Sequence, residues 1–276
     1  TPAGKEKLIY QTTPALNELG PEYFSVTYGA GGTTRESTLG VALAIHEAGV
    51  EVAPHISFGG DDENAIAGLL DRYREQGIRR LVALRGDKPS GLGGPAQLVH
   101  ANELVAFIRE HSGDHFDIKV AAYPEIHPEA RTYESDIHFL KGKFDAGANS
   151  AITQYFFNVE AYFYFLDQCA AMGIDQPIYA GIMPIANYSN LQRFSTNCGA
   201  EIPRWVCQRM EGYGDDLESQ KKFGIEVVTQ LCQTLIENGA PGIHFYTMNQ
   251  LEPVQTIYQN LGLDGATGEA VGETAA

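Results

Sequence analysis

The chain has 276 residues, of which 43% are hydrophobic, 20% charged and 10% aromatic, and its formal net charge is −16. That is a globular composition, and an α/β barrel takes about 250 residues as a single domain, so one large domain is natural. The charge excludes a general nucleic-acid or anionic-membrane binder, which needs clustered Lys and Arg, and no apolar run reaches the roughly 20 residues that span a bilayer.

A small anionic ligand is not excluded, because it feels local cations and helix N-termini more than the distant total. The four cysteines, Cys169, Cys198, Cys207 and Cys232, lie far apart without a CxxC pair. That usage predicts reduced thiols in a cytoplasmic protein and neither a zinc site nor a disulfide framework.

In chain order the pattern begins with a helix over residues 4–19. A strand over 23–28 leads to a helix over 33–48, which opens on the capping-box pattern Thr33-Thr34-Arg35-Glu36 and stops at Gly49. A strand over 50–57 precedes a helix over 61–76 with an acidic first turn and a stop at Gly77. Strands over 80–85, 118–123, 151–156 and 178–183 follow, with helices over 97–111, 129–146, 160–172, 189–197 and 218–238 between them. A last strand covers 243–247. Several strands are nearly continuous apolar runs, as expected of parallel strands covered on both faces. Residues 1–264 therefore read as one domain. Residues 265–276, rich in Gly, Ala, Glu and Thr, read as a disordered tail.

Alternating strands and helices give a parallel sheet, either closed as a barrel or open and doubly wound. No GxGxxG follows the first strand, so the dinucleotide signature of the open sheet is missing. Polar residues gather instead at the C-terminal ends of many strands: Thr27, His55, Arg85 with Asp87, Tyr123 with Glu125, Gln154, and His244 with Tyr246. In a (β/α)8 TIM barrel those ends converge on one mouth, where active sites sit. The expectation is such a barrel with its first strand missing from the chain and lying before Thr1, since seven strands are found where eight are needed.

Three segments could carry chemistry. In Leu84-Arg85-Gly86-Asp87-Lys88-Pro89 the Arg offers a planar five-donor fork, Gly86 allows close backbone approach, and Asp87 could accept from ring N–H groups. An Arg–Asp pair decorating a turn is the plain alternative. Tyr123-Pro124-Glu125-Ile126-His127-Pro128-Glu129 is a stiff polar loop, and stiffness lowers the entropy lost on ordering a ligand. Downstream, Asp136 and Lys143 lie seven apart and near one helix face, where they could hold a hydroxyl and a phosphate or simply be surface charges. In Thr153-Gln154-Tyr155-Phe156-Phe157 the amide suits the polar edge of a heteroaromatic ring, while Tyr155 and Phe157 read as core. Metal-site spacing, a GxSxG elbow and a P-loop are absent.

Together these segments resemble the methylenetetrahydrofolate reductase family. The phrases are Val26-Thr27-Tyr28-Gly29-Ala30, Ala53-Pro54-His55, Ala83-Leu84-Arg85-Gly86-Asp87, Ala122-Tyr123-Pro124-Glu125, His127-Pro128-Glu129-Ala130, Asp145-Ala146-Gly147-Ala148, Ile152-Thr153-Gln154 and His244-Phe245-Tyr246-Thr247. They stand in family order over nearly the whole chain. The resemblance implies a barrel that binds FAD at its mouth. There NAD(P)H reduces the flavin, leaves, and is replaced by 5,10-methylenetetrahydrofolate, which becomes 5-methyltetrahydrofolate in a ping-pong cycle. It implies flavin contacts at Thr27, His55, Arg85, Gly86, Tyr123, His127, Ala130, Asp136 and Lys143. It implies a catalytic Asp87 that touches both flavin and folate. Substrate contacts fall on Gln154, Phe194, Asn190 and Gln250, and a homo-oligomer is expected.

Three departures accompany the resemblance. The family's first strand carries a Glu, in a Phe-Glu-Phe-Phe-Pro-Pro phrase, that serves as general acid, and this phrase is not found in the chain. Gln250 stands where an Arg is frequent, and Asn190 where a Gln is frequent. An alternative is therefore a flavin- or folate-binding barrel inactive in the folate half-reaction because the strand with the acid is absent. A less specific alternative is an unrelated barrel enzyme such as an aldolase. The strand runs contain no Lys suited to a Schiff base besides Lys119, near a strand start.

Overall fold

Seven short strands pair side by side in chain order, every neighbouring pair parallel. They are β1 (Phe24–Val26), β2 (Val52–Ile56), β3 (Arg80–Ala83), β4 (Asp117–Ala122), β5 (Ser150–Thr153), β6 (Ile178–Ile182) and β7 (Ile243–Phe245). This is a computed structural model, and it describes residues 2–27, 35–57, 63–85 and 100–263. Five of the seven strands lie inside the ranges expected from the sequence, and β4 and β5 each begin one residue earlier, at Asp117 and Ser150. The capping box at residues 33–36 begins outside the described residues, as does the tail expected over 265–276.

Side chains alternate across the sheet with period two. Val52, Ile56, Leu81, Ala83, Ile118, Val120 and Ala151 enter the large core between strands and helices. Residues between them, such as Ala53, Val82 and Ile152, form a small inner cluster with Tyr23, Leu84 and Tyr246. The inner faces meet because the sheet curls. Lys119 on β4, only 3% exposed, lies over the rings of Tyr23 beside β1 and Tyr179 on β6, at 5.0 and 6.0 Å from their centroids. The two edges also approach, with Ser25 Oγ on β1 3.2 Å from His244 Nε2 on β7. Among the described residues β1 and β7 share no backbone ladder. The architecture is a seven-stranded parallel α/β sheet curled into a TIM-like barrel.

Curling depends on one close approach inside the barrel. A Cβ on Gly181 of β6 would stand 2.0 Å from the Thr153 carbonyl oxygen and 2.8 Å from the Tyr246 ring. The bare backbone lets the Tyr246 hydroxyl cross to donate to that same carbonyl at 2.7 Å.

The outer helices are α1 (Pro2–Lys7) and α2 (Thr13–Asn17), then α3 (Arg35–Glu47), α4 (Glu63–Glu75), α5 (Ala101–Ser112), α6 (Tyr133–Asp145), α7 (Val159–Ala171), α8 (Tyr188–Cys198), α9 (Arg204–Tyr213), α10 (Leu217–Glu237) and α11 (Glu252–Asn260). Between α1 and α2 the chain widens into a π turn, Leu8–Thr12, just ahead of Pro14, which has no N–H to offer the preceding turn. The helix expected over 129–146 starts later. Thr132 caps α6 by accepting from the Ser135 amide at 3.1 Å, which leaves residues 129–132 in the loop. Helices α9 and α11 were not expected from the sequence.

Candidate active site at the barrel mouth

The strand ends, the loop after β4 and helix α6 enclose a cavity of about 660 Å3, a size within the roughly 300–1,000 Å3 usual for cofactor and small-molecule sites. Seven of the residues singled out in the sequence line it: His55 on β2, Arg85 just past β3, Tyr123 just past β4, His127 and Ala130 on the following loop, and Asp136 and Lys143 on α6. The spacing 136, 139/140, 143 on α6 puts Phe139 on the same face. Its ring is 62% exposed and forms part of the wall.

The loop after β4 is held from both ends. The Ile126 backbone sits at φ 71°, a left-handed conformation that a β-branched residue adopts only under constraint. On one side the Asp136 carboxylate accepts from the His127 amide at 2.7 Å, and on the other the Glu125 carboxylate accepts from the Glu201 amide at 2.8 Å. Tyr123 and His127 meet edge to face, with ring centroids 4.5 Å apart. The Glu129 amide donates to His127 Nδ1 at 3.0 Å, which fixes the imidazole's tautomer by making that nitrogen the acceptor.

Burial dominates the electrostatics. Desolvation pushes the Lys143 ammonium down to about 8, with Asp136 opposing the shift and Arg85 adding to it. Its Nζ donates to the Ala121 carbonyl at 2.7 Å, and among the described residues no carboxylate lies within ion-pair distance of it. Desolvation likewise raises Asp136, against the pull of the His127 amide and Lys143, and lowers His127. A desolvated ammonium satisfied by a neutral carbonyl rather than by an ion pair keeps the capacity to bond an anion. Arg85 faces the same space and pairs with Glu129, Nη1 to Oε2 2.6 Å.

Other expected site residues lie elsewhere. Thr27 is exposed just past β1, and its carbonyl accepts from Thr38. Gln154 follows β5, and its side chain accepts from the Tyr155 amide at 3.0 Å. Asn190 accepts from Arg193, whose guanidinium lies 5.2 Å over Phe194, all on α8. Gln250 is exposed after β7. None of these five lines the cavity, and Gly86 and Asp87 lie outside the described residues. Tyr155 and Phe157 are buried, as read from the sequence.

His244 and Tyr246 do not line the cavity either, although their place near a strand end suggested the mouth. Both point into the barrel. His244 contacts Tyr23 and Ser25 and lines a second, smaller cleft of about 220 Å3 between β1 and β7. Burial holds its imidazole neutral, down to about 4, and that of His55 down to about 3.

The sequence reading missed His100 and Phe139 as cavity residues, and it named Glu129 only as part of the stiff loop. His100 caps α5, its amide donating to Glu103 at 2.6 Å, and nothing in its sequence neighbourhood marks it. Phe139 was accessible from the same helical spacing that joined Asp136 to Lys143.

A parallel α/β barrel with cations, a carboxylate and aromatic walls gathered over the C-terminal ends of its strands defines a ligand-binding site of the enzyme type. The chain belongs to the methylenetetrahydrofolate reductase family, whose model matches residues 1–262. It is 40% identical over 259 residues to the 5,10-methylenetetrahydrofolate reductase of Pectobacterium carotovorum, covering 94% of this chain and 86% of that one. With the Escherichia coli 5,10-methylenetetrahydrofolate reductase the identity is 39% over the same shares. With methylenetetrahydrofolate reductase (NADH) 1 of Arabidopsis thaliana it is 35%, over 92% of this chain and 45% of the plant protein. Among solved structures, a Clostridium thermocellum protein that binds two copies of 5-methyl-5,6,7,8-tetrahydrofolic acid superposes with a TM-score of 0.65. It is 15% identical, over 94% of this chain and 88% of that one, and the likeness supports the fold.

Proposed function

We propose that the protein reduces 5,10-methylenetetrahydrofolate to 5-methyltetrahydrofolate, with FAD held in the mouth cavity and NAD(P)H as electron donor. The observation that carries this reading is the coincidence of Arg85, Tyr123, His127, Asp136 and Lys143 in one cavity of a chain whose relatives are named for that reaction. The residues suit FAD. Two cations match its pyrophosphate, the Asp136 carboxylate matches a ribityl or ribose hydroxyl, and Tyr123 and Phe139 supply apolar walls. Bound there, FAD would supply hydride acceptance from the nicotinamide and hydride donation to the folate, in alternation.

The chain's own residues bind and orient. Lys143 and Arg85 fix the phosphate end, and the pinned loop 123–130 fixes the cavity wall, so little entropy is lost on binding. Gln154 at the end of β5 and Phe194 on α8 are assigned to the folate side, and Asp87 to the contact between folate and flavin.

Anaerobic spectroscopy tests the reading. Protein loaded with FAD should be bleached by NADH or NADPH and recoloured by methylenetetrahydrofolate, with 5-methyltetrahydrofolate as product. Protein that takes up no flavin overturns it.

A further inference from the structure

Arg85 reaches Glu129 across 44 residues of sequence, and the 2.6 Å contact lies in the wall of the mouth cavity. The two side chains are 29% and 46% exposed. A pair so open to water adds little to stability, so fold maintenance is a poor reason for placing a carboxylate there. Its effect on the cavity is larger. It covers the donor fork that an incoming phosphate needs, and it sets a negative charge beside the place where that phosphate would lie.

The turn that carries the carboxylate is held independently of it. The Glu129 amide is fixed on His127 Nδ1 at 3.0 Å, and the Ala130 amide on the His127 carbonyl at 2.8 Å. The turn is therefore held by its backbone, so turning the Glu129 side chain away from Arg85 breaks neither of these bonds. Lys143 does not share this arrangement, because its ammonium is engaged by the Ala121 carbonyl. The cavity thus has one cation paired with a carboxylate and one that, among the described residues, is bonded to a carbonyl with Asp136 acting on it only from beyond ion-pair distance.

We propose that Glu129 is a resident counter-charge: it occupies Arg85 until a phosphate-bearing ligand displaces it. The site then disfavours small anions that bring nothing but charge and favours ligands whose remaining surface offsets the displacement. For the natural ligand this rests on the flavin reading above, but the anion chemistry stands apart from it.

The test compares wild type with Glu129→Gln, which keeps the shape and removes the charge. Inorganic pyrophosphate is titrated by calorimetry, and FAD and riboflavin by fluorescence. At low salt the variant should bind pyrophosphate about 2- to 5-fold more tightly, the range that losing an exposed competing pair corresponds to. The gain should shrink as salt screens the pair, and riboflavin, which has no phosphate, should bind both proteins equally. Equal or weaker pyrophosphate binding by the variant, including no uptake by either protein, overturns the proposal. So does an equal gain for riboflavin. Failure of wild type to take up FAD overturns the flavin reading alone, and the pyrophosphate titration still decides the role of Glu129.

Discussion

Replacing Lys143 with Met removes one charge from the cavity while keeping the apolar stem that fills the space beside β4. In the free protein the ammonium is held down to about 8 by desolvation and bonded to the Ala121 carbonyl. A charge-assisted hydrogen bond from that ammonium to a phosphate contributes about 1.5–3 kcal/mol, so its loss should weaken FAD binding by about 10- to 150-fold at pH 7. The sign of the pH dependence follows from the same shift. The folded-state value lies below the 10.5 of the unfolded chain, so the cost of keeping the group charged is fully present below about pH 8 and fades as pH rises toward 10.5. Wild-type affinity should therefore fall above pH 8 and approach that of the variant. Without ligand, Lys143→Met should be at least as stable as wild type at pH 7. Flavin fluorescence titration from pH 6 to 9.5, with thermal denaturation of the free proteins, reads both effects. An affinity gap that does not change with pH, or an unchanged dissociation constant, refutes the assignment of Lys143 to the anion.

Three further outcomes follow, the first from the family resemblance and the other two from other parts of the structure. Asp87→Asn should slow the reoxidation of reduced flavin by methylenetetrahydrofolate more than the reduction of flavin by NADH, and rapid-mixing spectra of the two half-reactions should show it; equal slowing would contradict the role given to Asp87. Gly181→Ala places a methyl against the Thr153 carbonyl, at 2.0 Å from a backbone atom that cannot rotate away. It should cost about 3 kcal/mol or more in chemical denaturation, at the upper end of overpacking. His244 and His55 are buried neutral, with values near 4 and 3 against 6.5 in the unfolded chain. Stability should thus fall as pH drops below 6.5, and His244→Asn should flatten that slope between pH 6.5 and 4 in urea titrations.

The sequence made the strands legible because each is a short apolar run ended by turn residues, and a parallel strand buried on both faces leaves that trace. It made Arg85, Tyr123 and Lys143 legible because polar groups at strand ends, or seven apart on a helix, have few other uses. The start of α6 was misread because Glu129, Ala130 and Arg131 have ordinary helix propensity, and the cap at Thr132 needs the tertiary loop geometry to outweigh it. Helices α9 and α11 escaped notice because each buries few side chains, Val206 and Met210 in one and Pro253, Val254 and Ile257 in the other. So small a stripe gives little periodicity. The inward turn of His244 and the pairing of Arg85 with Glu129 depend on how strands far apart in the chain face one another, which spacing along one segment does not encode.

The central claim is that the cavity over the strand ends holds the flavin. A crystal structure of the protein grown with FAD tests it most directly. The account expects the pyrophosphate against Arg85 and Lys143, with Glu129 turned away and the ring system beside Tyr123. Flavin bound instead in the cleft between β1 and β7, beside Tyr23, His244 and Tyr258, would contradict it.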